Sequence, residues 1–227
     1  TITPKPQCGH PGQMIDRNSQ QMAVWNKLGF PSKGVKHAVQ QLKDLYKPHF
    51  TPIFANIGKN KTTPNDKAHE DYIQCMEQLS EYVDAFVLNV SSPNTEGLRE
   101  LLKPENLKNF LKPIIEANSN KIPIILKISP DISNEELKHI LDVSLELNVD
   151  GWILTNTTSK RKDSPFPQEG GVSAQPLRER PKSLLKEAIK ILGVNKGDRL
   201  LISTAGFITP KMPFERYGLG ADLVQVD

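Results

Sequence analysis

The sequence has little cysteine and no long apolar run. Its 227 residues include two cysteines, Cys8 and Cys75, which are too few for a disulfide framework or a zinc knuckle, so a reducing compartment is expected. Apolar runs such as IPIIL at 122–126 are far shorter than the roughly 20 residues that a membrane-spanning helix needs. No signal peptide opens the chain. The residues present therefore predict neither a disulfide-rich secreted domain nor a membrane span.

An excess of charge of one sign is also lacking. Lys and Arg number 29 against 26 Asp and Glu, which gives a formal net charge of +3. No strong field is present to select nucleic acid, so we expect no nucleic-acid partner, and the residues give no support for a metal site. The length fits one large domain, because α/β barrels of about 250 residues form single units.

Short β-rich runs alternate with amphipathic helical stretches along the chain. The helical stretches are 67–83, 133–147 and 181–192, and in the second of them Ser133 and Glu136 match a capping box. This alternation predicts a parallel sheet, either open and doubly wound or closed as a barrel. The predicted strands are PIFANI (52–57), DAFVLNV (84–90), IPIILKI (122–128), DGWILTN (150–156), RLLISTA (199–205) and ADLVQV (221–226).

The placement of the polar residues favours the barrel. Each polar cluster follows a different predicted strand, which is how the mouth of a barrel assembles one site from many loops. The fold class predicted is therefore α/β, a (β/α)8 TIM barrel. The clusters are Asn56, then Asn89 to Asn94, then Lys127, then Thr155 with Asn156, and finally Ala205 with Gly206.

Three of these clusters suggest specific chemistry. The segment FVLNVSSPNTEGLR (86–99) presents carboxamides that suit an uncharged ring edge such as an imide, although the same side chains could only satisfy loop backbone. Lys127, in an apolar strand, either snorkels to a surface or meets an anionic partner such as a reduced flavin. The segment ISTAGFIT (202–209) offers backbone N–H groups to a phosphate, although small residues also mark ordinary turns. The long polar loop at 159–171 is typical of a lid or of disorder.

In this order, the segments resemble the dihydroorotate dehydrogenase family, in its class 2 or quinone-dependent form. The likeness covers nearly the whole chain, and three segments, TPKPQ, NIGKNK and NVSSPNT, are highly specific. The matching segments are TPKPQ (3–7), NKLGF (26–30), NIGKNK (56–61), NVSSPNTEGLR (89–99), LKISPD (126–131), TNTT (155–158) and GGVSAQPLR (170–178).

The resemblance implies a flavoprotein that uses FMN to oxidise dihydroorotate to orotate in pyrimidine (UMP) synthesis, with quinone as the electron acceptor. It implies that Ser92 takes the proton from C5 of the substrate while the hydride of C6 passes to FMN. The nearest alternative enzyme is another FMN barrel, such as a class 1 dihydroorotate or dihydropyrimidine oxidase, and Ser92 in place of a cysteine argues against it. The implied substrate contacts are Asn26, Lys27, Leu28, Gly29, Phe30, Asn89, Asn94, Asn156 and Thr157. The implied FMN contacts are Thr1, Asn56, Asn89, Lys127, Thr155, Ala174 and Gly206.

The chain departs from the family pattern at several places. Ala174 replaces a glycine, Ala205 replaces the first of a glycine pair, and Asp227 stands where the family has tyrosine near the FMN phosphate. GQMID (12–16) replaces a basic, aromatic stretch. These departures keep open a second hypothesis, a non-catalytic barrel remnant with a binding or structural role.

The ends of the chain suggest truncation. The sequence opens on Thr1 and closes on ADLVQVD, so we expect a partial FMN-binding barrel domain over 1–227 without its first strand and C-terminal helix. The family's N-terminal helical pair, which forms the quinone tunnel, is expected to be absent too. Through that absent part the resemblance implies a peripheral location on an inner membrane, at the bacterial cytoplasmic face or in mitochondria.

Overall fold

The fold is built on nine short strands and six helices in the part of the chain that the structure describes. This computed structural model describes residues 1–45, 50–161 and 164–226, so the predicted departure at Asp227 lies outside the described residues. The strands are β1 (Ile15–Asn18), β2 (Ala23–Asn26), β3 (Phe54–Ile57), β4 (Ala85–Asn89), β5 (Ile124–Ile128), β6 (Gly151–Leu154), β7 (Gly171–Ala174), β8 (Leu200–Thr204) and β9 (Leu223–Gln225). The helices are α1 (Val35–Lys43), α2 (Ala68–Leu79), α3 (Pro104–Ala117), α4 (Asn134–Glu146), α5 (Glu179–Leu192) and α6 (Met212–Gly218).

Six strands form one parallel sheet in the order β3-β4-β5-β6-β8-β9. All five pairings are parallel, and the order follows the chain without the reversal that a doubly wound sheet requires. The six predicted strands are therefore confirmed, and the barrel-type order is the one that the polar clusters favoured. With six strands in the sheet, the described residues form part of an eight-stranded barrel.

The two faces of the sheet bury different apolar clusters. Alternate residues such as Phe86, Leu88 and Trp152 point outwards into the large core shared with the helices. The intervening residues form a small cluster on the inner face, which is the packed interior of a barrel. The inner cluster consists of Ala85, Val87, Ile125, Ile153 and Ile202, with Phe54 and Leu200 packed against it.

The predicted helices are confirmed with small changes at their ends. At the start of α4, the Glu136 amide donates to Ser133 Oγ at 3.1 Å and the Ser133 amide donates to Glu136 Oε2 at 2.6 Å, so the predicted capping box is complete. The buried face of α4 carries Leu137, Ile140 and Leu141, which the apolar spacing predicts.

A second sheet, antiparallel and three-stranded in the order β1-β2-β7, has no counterpart in the sequence predictions. Each strand has four residues, and β1 is mostly exposed, so no apolar alternation marks it. Trp25, Val172 and Phe166 form its small core. Since β7 follows the 159–170 loop directly, this sheet ties the end of the loop to the N-terminal region.

The opening segment is a structured loop, because its prolines and glycines disfavour a regular helix or strand. Ile2 forms a parallel bridge with Ile57, in which the Ile2 amide donates to the Asn56 carbonyl at 2.8 Å and the Gly58 amide donates to the Ile2 carbonyl at 2.9 Å. These bonds hold Thr1 beside the carboxyl end of β3.

Candidate active site

A cavity of about 1080 Å³ opens at the carboxyl ends of the parallel strands. Its walls come from β1 and β2, from residues near the ends of β3, β4 and β5, from the loops after β4 and β6, and from the end of β7 and the segment after β8. A cavity of this size accommodates a large cofactor together with a small substrate. The position is the one at which barrel enzymes place their chemistry.

The floor of the cavity follows from the period of two along the strands. Asn56, Asn89 and Lys127 each stand two residues after an inner-face apolar residue, namely Phe54, Val87 and Ile125. Asn89 and Lys127 are also direct partners in the β4-β5 register. The strand geometry therefore places amides and one cation in a layer directly above the apolar interior.

Hydrogen bonds link the amides of this layer into one chain. Thr1 Oγ1 donates to Asn56 Oδ1 at 2.8 Å, and Asn89 Nδ2 donates to both, to Thr1 Oγ1 at 3.1 Å and Asn56 Oδ1 at 3.3 Å. Asn156 Nδ2 donates to Asn89 Oδ1 at 3.3 Å and to Ser91 Oγ at 3.0 Å. Mutual bonding fixes the side-chain orientations, so the layer presents a set pattern of donors and acceptors.

Ser92 lies in the wall of the cavity and is buried, with 6% of its surface exposed. Its hydroxyl oxygen accepts a hydrogen bond from the Asn94 amide at 3.2 Å, which folds the SSPN segment into a tight turn. Asn94 Nδ2 donates to Asn26 Oδ1 at 2.9 Å, while buried Asn94 Oδ1 has no partner among the described residues. A buried acceptor without a partner in the protein can accept a hydrogen bond from a ligand.

The opposite end of the cavity is lined by small residues in unusual backbone conformations. Ala174 has φ 67° and ψ −134°, Ala205 has φ 70°, and Gly206 has φ 74°. A Cβ added to Gly206 would lie 2.7 Å from Arg178 Cα, so only glycine fits this turn. Small side chains here leave the backbone open to a ligand group such as a phosphate.

A second cavity of about 460 Å³ lies on the other side of Ser92. Ser92 and Asn94 line both cavities, and the second one is otherwise polar and charged. His10 Nε2 donates to the Asn94 carbonyl at 2.8 Å, and Lys27 pairs with Glu169 at the end of the long loop. No sequence pattern identifies His10 or Glu169 as site residues.

A buried ion pair lies behind the loops that carry Ser92 and Asn156. Arg99 Nη1 donates to Asp131 Oδ2 at 2.7 Å, and the two side chains are 22% and 10% exposed. Burial raises the pKa of Asp131, but hydrogen bonds from Thr158, Ser159 and Arg99 outweigh it and hold the pKa below its usual value. Arg99 lies at the end of the NVSSPNTEGLR segment (89–99), but sequence spacing alone could not reveal its contacts.

The structure brings almost all of the predicted site residues to one place. All of them except Lys27 and Thr155 line the larger cavity. Lys27 lines the second cavity instead, and Thr155, in the buried layer after β6, donates through Oγ1 to the Asn156 carbonyl at 3.0 Å. In the described ranges, no group of three or more His, Cys, Asp or Glu residues is arranged to hold a metal ion. Lining residues that the sequence did not suggest include Arg17, Ser173, Phe207 and Gln225.

Fold and site together define an α/β barrel protein with an amide-rich ligand site at its mouth. A model of the family described as dihydroorotate dehydrogenase matches residues 1–227. The chain belongs to the dihydroorotate dehydrogenase family, as its motifs predict.

Individual relatives agree with this assignment. A protein of Christiangramia forsetii named dihydroorotate dehydrogenase (quinone) is 39% identical over 233 residues, which cover all of this chain and 66% of the relative. A protein of Nautilia profundicola with the same name is 38% identical and 61% covered. A crystal structure of a DHODH from Eimeria tenella in complex with ferulenol superposes with a TM-score of 0.88 at 30% identity, over the whole chain and 68% of that structure. This chain therefore spans about two thirds of the length of these proteins.

Proposed function

We propose that the complete protein oxidises dihydroorotate to orotate with FMN and passes the electrons to a quinone, as a step of pyrimidine synthesis. The observation that carries the proposal is Ser92, a buried hydroxyl in the wall of a cavity whose other polar groups are mainly amides. The names of the relatives, dihydroorotate dehydrogenase (quinone), support the substrate and the acceptor.

Ser92 is the proposed base for the proton on C5 of dihydroorotate. Serine is a weak base at its ordinary pKa, so the step requires a closed site that excludes water and a hydrogen-bonded route for the proton. Burial of Ser92 meets the first requirement, and its position between two cavities gives the proton a short way out. Asn26, Asn94 and Asn156 are proposed to bind the ring and carboxylate of the substrate, since amides offer donors and acceptors together.

FMN fits the opposite part of the cavity. Gly206 and the small residues Ala174 and Ala205 leave room for the phosphate, and the layer of Asn56, Asn89 and Lys127 is proposed to hold the ring system. When bound, FMN supplies an acceptor for the hydride from C6. Lys127 is proposed to stabilise the negative charge of the reduced ring, which is the anionic partner that a lysine in an apolar strand would meet.

A quinone acceptor implies that the complete protein works beside a membrane. Quinones of respiratory chains dissolve in lipid, so the proposal places the complete protein at the surface of an inner membrane. Among the described residues, no helix is long and apolar enough to cross a membrane. The resemblance supports membrane contact through the part of the relatives that this chain does not cover.

Ser92→Ala provides the direct test in the complete gene product. We expect dihydroorotate to bleach the flavin absorbance of the parent protein under anaerobic conditions, and we expect the variant to be slower by about 10² to 10⁴-fold because the base is lost. Stopped-flow absorbance measures the rate. Unchanged bleaching in the variant would remove Ser92 from its role.

Ser144→Ala is the matched control, since Ser144 is equally buried but lies within α4 and donates to the Ile140 carbonyl at 2.6 Å. We expect the parent rate in this variant. The alternative hypothesis, a non-catalytic remnant, rests on the departures at Ala174, Ala205 and Asp227 and predicts a purified protein without flavin. A stoichiometric flavin content that dihydroorotate reduces excludes that alternative.

A further inference from the structure

The guanidinium of Arg99 connects two loops of the site. One loop carries Ser92, the proposed base, and the other carries Asn156 and Thr157, the proposed substrate contacts. Arg99 Nε donates to the Ser91 carbonyl at 2.9 Å, and Nη2 donates to the Thr157 carbonyl at 2.9 Å. Ser91 is the residue before Ser92, and Thr157 follows Asn156. One planar side chain therefore bridges the segment after β4 and the segment after β6, across the intervening strand β5.

Asp131 fixes that guanidinium from behind. Its Oδ2 accepts from Arg99 Nη1 at 2.7 Å and from the Ser159 amide at 2.7 Å, and its Oδ1 accepts from Thr158 Oγ1. Ser159 Oγ also lies 2.8 Å from Asp131 Oδ2 and 3.2 Å from Arg99 Nη1. The carboxylate thus joins the loop after β5 to the loop after β6 and sets the plane of the Arg99 fork.

We propose that Arg99 is a positioning residue, which sets the distance between the Ser92 hydroxyl and the substrate held by Asn156 and Thr157. This inference rests on the proposed function. The hydroxyl must meet one hydrogen on one carbon, and an error of about 1 Å in such a geometry costs roughly 10²-fold in rate. Arg99 contacts the carbonyl oxygen of Ser91, the residue before Ser92, and the carbonyl oxygen of Thr157. Its removal therefore changes the distance without removing a reacting atom.

The chemistry of arginine suits this position better than that of lysine. A guanidinium holds several donors in a rigid plane and can bond three carbonyl or carboxylate partners at once, whereas an ammonium is a point charge on a flexible stem. Burial lowers the pKa of Arg99, while the hydrogen bond and charge of Asp131 raise it. We therefore expect Arg99→Lys to fail to replace the bridge although it keeps the charge.

The test compares half-reactions of Arg99→Lys and Arg99→Ala in the flavin-loaded complete protein. We expect flavin reduction by dihydroorotate to slow about 10 to 100-fold, whereas reoxidation by a soluble quinone and flavin content stay at the parent level. Deuterium at C5 of the substrate should slow reduction more in the variants than in the parent, because proton removal becomes more limiting. Equal losses in both half-reactions would indicate general damage and overturn the proposal.

Arg199→Ala is the matched control. Arg199 also bridges backbone carbonyls, to Val149 at 3.0 Å and Asn195 at 3.3 Å, but beside the amino ends of β6 and β8. We expect parent rates in both half-reactions for this variant. If Arg99→Lys behaves like the control, Arg99 has no positioning role.

Two further measurements distinguish a failure of the Arg99 proposal from a failure of the proposed function. Because Arg99 lines the second cavity, millimolar ethylguanidinium should restore flavin reduction in Arg99→Ala, whereas ethylammonium should not; no restoration would overturn the fork argument. Hydrogen exchange of the protein without substrate should rise over 91–98 and 155–159 in Arg99→Lys, and unchanged exchange there would count against the bridge. A parent protein that dihydroorotate does not reduce refutes the proposed function, while the exchange result still decides whether Arg99 orders both loops.

Discussion

Ala174 holds a backbone conformation that glycine adopts far more readily. With φ 67° and ψ −134°, its Cβ crowds the neighbouring backbone at a cost of roughly 1–3 kcal/mol. The resemblance implies a glycine at this position in the family, and glycine adopts a positive φ without this strain. The same holds for Ala205 at φ 70°. Both alanines lie where the FMN phosphate is proposed to bind.

Relief of this strain is measurable. We expect Ala174→Gly to raise the free energy of unfolding by about 1 kcal/mol, because the relieved strain exceeds the roughly 0.4–1 kcal/mol that a more flexible unfolded chain costs. Urea unfolding of the flavin-free protein measures the change. Ala38→Gly, inside α1, is the control and should destabilise by up to about 1 kcal/mol. A destabilised Ala174→Gly protein would contradict the strain argument.

The residues of the site differ in how far the sequence could reveal them. Asn56, Asn89 and Lys127 were predictable because a period of two and a buried strand leave one orientation for each side chain. Arg99 and Asp131 were not, since they are 32 residues apart and meet only after three loops fold together. His10 likewise reaches Asn94 over 84 residues, from a loop without regular spacing.

Among the elements, the long parallel strands were predictable and the short antiparallel ones were not. Five-residue strands such as β4 and β5 are buried at every position and read as continuous apolar runs. The strand β1 is exposed at three of its four residues, so tertiary pairing with β2 rather than local pattern defines it. That small sheet nevertheless forms a wall of the cavity, through Arg17 and Ser173.

The loops after β4, β5 and β6 are connected through one ionised carboxylate, which makes their stability depend on pH. The pKa of Asp131 is lowered in the folded state, so folding is favoured by the ionised form. This contribution is fully present above the unfolded pKa of about 3.9 and is lost as pH falls through the lower folded pKa. Acid should therefore weaken the connection between these loops.

Asp131→Asn tests this dependence. We expect a loss of about 2 kcal/mol near pH 7, since one partner of a largely buried pair loses its charge, and a smaller difference from the parent as pH falls below 4. Urea unfolding at several pH values measures the loss of stability near pH 7 and its decrease at lower pH. Asp142→Asn is the control, because Asp142 pairs with Lys138 on the exposed face of α4 and should cost less than about 0.5 kcal/mol. A difference that stays constant with pH would contradict the assignment.

At the scale of the whole molecule, the site depends on almost every parallel strand. Polar groups from β3, β4 and β5 form its floor, the segments after β6 and β8 form its sides, and β2 with β7 closes one wall. A ligand that contacts all of these segments binds only the folded state, so its binding energy adds to the stability of the whole fold. FMN is proposed to be that ligand.

Removal of FMN should therefore lower the melting temperature of the complete protein. At 100 times its dissociation constant, a ligand adds about 2.7 kcal/mol, which corresponds to roughly 3–5 °C for a protein about one and a half times as long as this chain. We expect FMN to restore the melting temperature of the flavin-free protein, and riboflavin at equal concentration to restore it less, because riboflavin lacks the phosphate that the Ala174 and Gly206 end is proposed to hold. Differential scanning fluorimetry with both ligands measures the shifts. Equal shifts would show that the phosphate contributes nothing, and the assignment of that end of the cavity would then be wrong.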